Sequence, residues 1–378
     1  MRGKEIRMEL RIANVLCNAV MEQFKVGESG IIFREYAPTK DGDRDSCFLF
    51  PYFALSGMLY HMIKAGETQW CSVYEKIMEG FVFYRADASK MAEGSIKYHS
   101  ERGKEPGGGY ASCFFDDNIW VARNFLFAYE ILQKEEYLEE AKRIVNYTYT
   151  GWNDELGGLV WNDNGLTDEG TEQELERGLS ANACCIIVNA MLYQITGEEG
   201  YLTWALRFYE FCKQMQDKDT GIYYNGVHTV IRDHVRYAGE INKDLYGYNA
   251  GSMILADLLL YDITGDESYK KDAVWAAKAV HQAFLKHDEV GRAYYKDFVW
   301  FTAIQAEGYD ALARYDADSV EEGRKTLRDS LAFAWEHYRN ADGLLPHDYV
   351  TGWRGDDDYD RLLLTHSGTA EIACLLGM

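Results

Sequence analysis

Three stretches of the chain repeat one pattern of apolar and polar positions. Residues 117–141 (DNIWVARNFLFAYEILQKEEYLEEA), 181–205 (ANACCIIVNAMLYQITGEEGYLTWA) and 249–273 (NAGSMILADLLLYDITGDESYKKDA) each run through an apolar helix and a polar turn, then place a tyrosine four residues ahead of an alanine. The marker tyrosines Tyr137, Tyr201 and Tyr269 are 64 and 68 residues apart, and Trp70 stands 67 residues before the first. A period of this length is one two-helix unit plus a long loop. The first helix of each unit is apolar on nearly every side, as at 186–192 and 253–260, whereas the second carries a charged stripe, as at 135–143. A helix apolar all round is buried and an amphipathic one faces water. The pattern therefore predicts inner and outer helices, and the 378 residues hold about six such hairpins. Six inner helices are buried without exposed ends if the array closes on itself. The predicted fold is all-α, one (α/α)6 toroid forming a single domain over 1–378, with an open superhelical solenoid as the alternative.

The segments 151–170, 219–245, 287–297 and 340–361 follow outer helices and are rich in Gly, Asn, Asp and aromatic residues. Loops this long are uncommon in compact domains unless they work. Each leads to the next inner helix, so all emerge on one face, beside the inner-helix N-termini, where the site is expected. Only four prolines occur, in keeping with long uninterrupted helices.

Charge narrows the ligand. With 39 Lys and Arg against 61 Asp and Glu the net charge is −22, which disfavours nucleic acid and anionic lipid and leaves neutral ligands open. The 28 Tyr, 17 Phe and 9 Trp exceed what one cleft can use. Most belong to a double-layered core, and a handful remain as sugar platforms. No run is read as a membrane span. Residues 1–24, interrupted by Glu5, Glu9, Arg11 and Asn14, read as an amphipathic helix rather than a signal peptide. The chain as it stands is expected to be cytoplasmic, or secreted if a leader has been removed. Eight cysteines without a C-x-x-C pair read as buried thiols, with disulfides left open.

The chemistry-bearing candidates start at Phe114-Phe115-Asp116-Asp117-Asn118. Register with the other repeats puts Asp116-Asp117 opposite Ser180-Ala181 and Tyr248-Asn249, all at inner-helix starts. Helix capping explains one aspartate there. Two adjacent carboxylates in an aromatic setting repel, which raises one pKa and leaves the other group ionised, the division of labour a glycosidase needs. At a helix boundary, where the first residue is not yet helical, the two are expected to converge to about 5–5.5 Å, the spacing of a retaining enzyme. Trp120, one turn after Asp116, is read either as a sugar platform or as a core indole. Asp41, Asp43 and Asp45 lack the glycine and glutamate of a calcium loop and read as a solvated turn. The run Asp356-Asp357-Asp358 with Asp360 reads as solvated charge. The nine histidines show no zinc spacing, no phosphate-binding glycine loop is present, and neither metal nor cofactor is implied. Gly107-Gly108-Gly109 reads as shaping the approach to the aspartates. His228 and His347 read as surface histidines, with sugar hydroxyls as the alternative.

The order Phe-Phe-Asp-Asp-Asn-x-Trp, Gly157-Gly158-Leu159-Val160-Trp161-Asn162, Ser180-Ala181-Asn182, Tyr248-Asn249-Ala250-Gly251 and Thr264-Gly265-Asp266 resembles glycoside hydrolase family 76, the endo-α-1,6-mannanases and their fungal cell-wall relatives. The resemblance is good over 112–273 and elsewhere rests on the hairpin pattern. It implies an (α/α)6 fold and retaining hydrolysis of α-1,6-mannosidic bonds in a neutral poly- or oligosaccharide, with Asp116 as nucleophile and Asp117 as acid/base. It also implies a substrate groove bordered by Trp161, Asn182, Tyr248 and Asn249. One departure is Tyr224-Asn225-Gly226, where members usually carry Asp-Gly, so Asn225 stands at a substrate position without its carboxylate.

Two alternatives stay open. Sugar epimerases and unsaturated uronyl hydrolases are also helical toroids, but no histidine pair marks an epimerase here, and Arg177, Arg232, Arg292 and Arg354 are few cations for a uronide pocket. The other is a non-catalytic glycan-binding toroid in which the aspartates only cap a helix.

Overall fold

The computed structural model describes residues 7–346 and 361–378. His347, Arg354 and the acidic run Asp356, Asp357, Asp358 and Asp360 lie outside the described residues. The chain divides into two compact units, one of residues 1–80 with 281–378, the other of 81–280. In the first unit the chain forms α1 (Met8–Gln23), β1 (Tyr36–Ala37), α2 (Leu49–Lys64) and α3 (Cys71–Gly80). The second unit follows with α4 (Phe115–Leu132), α5 (Glu135–Thr148), α6 (Glu172–Leu175), β2 (Arg177–Gly178), α7 (Leu179–Thr196), α8 (Glu199–Lys213), β3 (Gly226–Arg232), β4 (Val235–Asn242), α9 (Gly247–Thr264) and, up to Val280, α10 (Glu267–Phe284). The first unit is completed by β5 (Leu285–His287), β6 (Ala293–Tyr295), α11 (Val299–Ala313), α12 (Glu321–His337), β7 (Arg361–Leu362) and α13 (Leu363–Gly377).

The three sequence repeats are α4–α5, α7–α8 and α9–α10. In the second unit α4 packs on α7 and α7 on α9, and their residues are buried almost throughout. The turns inside the repeats follow one recipe. Gly197 and Gly265 end α7 and α9 in the left-handed conformation (φ 71° in both) that a residue without a Cβ adopts without penalty. Thr196 and Thr264 then accept from the N–H of Glu198 and Asp266. In the first repeat Gln133 takes the left-handed position (φ 53°) despite its side chain.

In the first unit α13 packs against both α2 and α11, with α3 against α2 and α12 against α11. The partner of α13 is α1, so the sixth hairpin joins the first and last helices of the chain. Each unit thus holds three inner helices: α2, α11 and α13 in one, and α4, α7 and α9 in the other.

Two expectations are corrected. The segment 219–245 is no simple loop, because β3 and β4 pair with β2 in a three-stranded antiparallel sheet. Its two-residue turn places Asp233 (φ 51°) and His234 (φ 63°) in left-handed backbone, a geometry usually marked by Asn-Gly. Without a glycine there, the hairpin gave no turn signal. Second, α7 has the length and mean hydropathy (1.4) of a membrane span. It is 67% buried within the structure, as an inner helix must be. No disulfide joins the cysteines, and all but Cys71 are buried.

Candidate active site

The N-terminus of α4 is built by the segment that follows α5. Phe115 N–H donates to Trp161 O (2.9 Å), Asp163 N–H donates to Cys113 O (3.2 Å), and Phe114 and Asn162 form an antiparallel bridge. The Phe114 and Trp161 rings lie 4.7 Å apart. This pairing brings the Trp161 indole to the carboxylates, and its N–H donates to Asp116 Oδ2 at 3.2 Å. Asp116 Oδ1 accepts from the Asp117 N–H at 2.8 Å. The helix cap is Phe114, which makes no side-chain capping bond, so both aspartates lie inside the first turn rather than at a non-helical boundary. They are the second and third helical residues, the same places that Ser180 and Ala181 hold in α7 and Tyr248 and Asn249 in α9. The positive end of the helix dipole favours charge at both.

The two carboxyl groups are unequal. Burial raises Asp116 to about 6, held down by the Asp117 amide and the Trp161 indole N–H. Asp117 is pushed well above the usual carboxylate range, by burial and then by the charge of Asp116. Both residues are largely buried yet keep some contact with solvent. Between about pH 6 and the higher pKa of Asp117, one is ionised and the other holds a proton.

Behind the pair, Asp163 is bound by Lys97 Nζ (2.5 Å) and by the Tyr147 hydroxyl, which fixes the segment that carries Trp161. Asp163, Lys97 and Tyr147 escaped the sequence reading, although Asp163 directly follows the Trp-Asn motif. Glu174 supports the same segment: it accepts from Asn162 Nδ2 (3.2 Å) and Asn164 Nδ2 (2.7 Å), and its carboxyl is lowered to about 2, first by the Thr171 amide and then by these asparagines. Gly109 is required by close approach, since a Cβ there would stand 2.1 Å from Tyr84 O.

A second polar cluster gathers at the start of α9. Asn225 Oδ1 accepts from the Tyr248 hydroxyl (3.4 Å) and Asn249 Nδ2 (3.3 Å), while Asn225 Nδ2 donates to Glu176 Oε1 at 2.9 Å. Asn242 Nδ2 also donates to Glu176, at 3.2 Å, and His228 Nδ1 lies 3.5 Å from Glu176 Oε2. The carboxylate absent at position 225 is therefore present beside it, supplied by Glu176 from another segment, where no motif marked it. The rings of Tyr246 and Tyr248 stack with an interplanar angle of 8°.

Other sequence candidates are placed differently. Trp120 is 4% exposed and packed beside the Arg123 guanidinium, so it is a core indole and offers no sugar platform. Asn182 is fully buried and accepts from Leu159 N–H (2.9 Å) while donating to Gly178 O (2.6 Å), so both ends of its amide are spent on the fold. Asn249 is also fully buried, and reaches the cluster only through Asn225. Arg177 is buried and donates to Leu156 O, Gly157 O and Thr229 Oγ1, which removes it from any uronide pocket.

The family profile of glycosyl hydrolase family 76 matches residues 86–367. No curated protein sequence matches the chain. Among solved structures, a family 76 glycoside hydrolase from a bovine Bacteroides thetaiotaomicron strain superposes with a TM-score of 0.83 at 21% identity, covering 98% of this chain and 78% of that one. A family 76 mannosidase from Bacteroides thetaiotaomicron gives 0.83 at 20% identity, covering 98% of both. An inactive α-1,6-mannanase variant from a Salegentibacter species, with two consecutive aspartates replaced by asparagine and α-1,6-mannotriose bound, gives 0.76 at 17% identity over 98% of this chain and 99% of that one. The fold is thus the all-α (α/α)6 toroid of these neighbours. By its family match the chain belongs to glycosyl hydrolase family 76 and is a glycoside hydrolase.

Proposed function

We propose that this hydrolase cleaves α-1,6-mannosidic bonds with retention of configuration, and that residues 1–378 act as one catalytic domain. Asp116 attacks the anomeric carbon while Asp117 gives its proton to the departing glycosidic oxygen, leaving a glycosyl ester on Asp116. Asp117, now ionised, takes a proton from water, which attacks the same carbon and frees Asp116. The observation that carries this reading is the inequality of the pair. Asp116 receives two N–H donors that favour its charge, and Asp117 faces that charge in a buried setting that favours its proton. The Salegentibacter mannanase, inactive with two consecutive aspartates replaced, supports giving the chemistry to this pair. Its bound α-1,6-mannotriose supports the linkage. Trp161, Tyr248 and Asn225 are assigned to the substrate groove, with Glu176 orienting the Asn225 amide.

The test is a linkage panel. Linear α-1,6-mannotetraose is expected to be cleaved, with α-1,2- and α-1,3-linked isomers and unsaturated uronides untouched. Cleavage confined to another linkage, or to uronides, overturns the assignment.

A further inference from the structure

The first unit contains a side-chain cluster that the glycosidase chemistry does not use. His61 on α2, Glu307 on α11 and Glu371 on α13 come from the three inner helices of that unit and are 7%, 5% and 3% exposed. His61 Nε2 lies 2.7 Å from Glu307 Oε1 and 3.7 Å from Glu371 Oε1. One imidazole nitrogen and one oxygen from each carboxylate all fall within 4.8 Å of one another, and among the described residues this is the one such group of metal-ligating side chains. The sequence carries no trace of it, because the residues are 246 and 64 positions apart and meet only when α13 packs between α2 and α11.

We infer that these three side chains form a buried binding site for a divalent first-row metal ion, a structural clip between the inner helices of the first unit. A neutral imidazole with two carboxylates is a donor set suited to Zn²⁺ or Mn²⁺ and neutralises the ion's charge. Metal–ligand bonds of about 2.0–2.2 Å set neighbouring ligand atoms roughly 3–3.5 Å apart, so the observed separations need changes of about an ångström. The close His61–Glu307 contact is a hydrogen bond that the bound ion would replace. The ligands stand on three packed helices rather than on a loop, which lowers the ordering cost of the site. The ion's role here is cohesion of the unit.

The experiment uses the full-length protein, stripped with a chelator, exchanged into metal-free buffer and then given Zn²⁺ or Mn²⁺ alone. After desalting, elemental analysis is expected to find about one equivalent of at least one of these metals per chain, with the melting temperature raised by about 2–4 °C over the stripped protein. Anomalous scattering from crystals soaked in the same metal should give a peak bonded to His61 Nε2, Glu307 and Glu371. His61→Gln should lose the bound equivalent, while His234→Gln, at an exposed position, keeps it. Retention of neither metal with an unchanged melting temperature overturns the inference, as does an anomalous peak only at other residues. Should His61→Gln not fold, wild-type retention and the anomalous peak still decide.

Discussion

At the scale of single residues, the account rests on how neighbours divide one proton between Asp116 and Asp117. On the proposed mechanism, activity requires Asp116 ionised and Asp117 protonated. The pH profile of kcat/KM should therefore be bell-shaped, with an acid limb near pH 6 from Asp116 and an alkaline limb at the higher pKa of Asp117. Trp161→Phe removes the indole N–H that holds Asp116 down, so its acid limb should move to higher pH; an unmoved limb would show that this bond does not tune the nucleophile. The Asp-Asp pair stood out in the sequence by motif and repeat register, and Trp161 by motif alone. Asn182 was misread for the same reason. It lies in a motif, but as the fourth residue of its helix, a place whose task is structural. Asn118 in α4 and His366 in α13 occupy that fourth place too. Asn118 donates to Phe114 O and accepts from Tyr98 N–H, and His366 contacts Leu362 O while accepting from Leu345 N–H.

At the scale of elements, these fourth residues act as locks that tie a preceding loop to the start of an inner helix. Asn182→Ala leaves the buried Leu159 N–H without its acceptor and should cost about 2–3 kcal/mol in chemical denaturation. A loss of sugar binding with unchanged stability would return Asn182 to the groove. Asp257 in α9 makes a different prediction. It is fully buried beside Tyr209 and Asp272, and burial, followed by the charge of Asp272, raises its pKa well above the usual range. A raised folded-state pKa contributes stability below the unfolded-state pKa, and that contribution disappears as pH rises through the folded-state value. The melting temperature of Asp257→Asn should therefore gain on wild type between pH 5 and pH 8, and a constant difference would contradict the assignment. The apolar inner helices were readable from periodicity alone, whereas the β3–β4 hairpin, turning on Asp233 and His234, offered no glycine to mark it.

At the scale of the whole molecule, the repeat predicted six hairpins, but three residues recruited from α2, α11 and α13 could not be foreseen from any local pattern. The pairing of α1 with α13 makes the chain's first helix part of its last hairpin. Removing residues 1–24 should uncover the apolar face of α13 and lower the melting temperature by several degrees; an unchanged melt would mean that α1 is dispensable. The acidic surface and the aromatic surplus now have separate explanations. The charge suits a neutral glycan, and among the described residues 24 of the 54 rings, Trp120 among them, are buried core, fewer than the majority expected. The central claim is that a glycosyl ester on Asp116 carries the reaction, with Asp117 as acid and base. Its most direct test is proton NMR of linear α-1,6-mannotetraose during the first turnovers by wild type, Asp116→Asn and Asp117→Asn. The account predicts that wild type releases the α-anomer first and that each variant, still folded, is slowed by about 10²–10⁴-fold or more. Initial release of the β-anomer, or near-wild-type turnover in either variant, would contradict it.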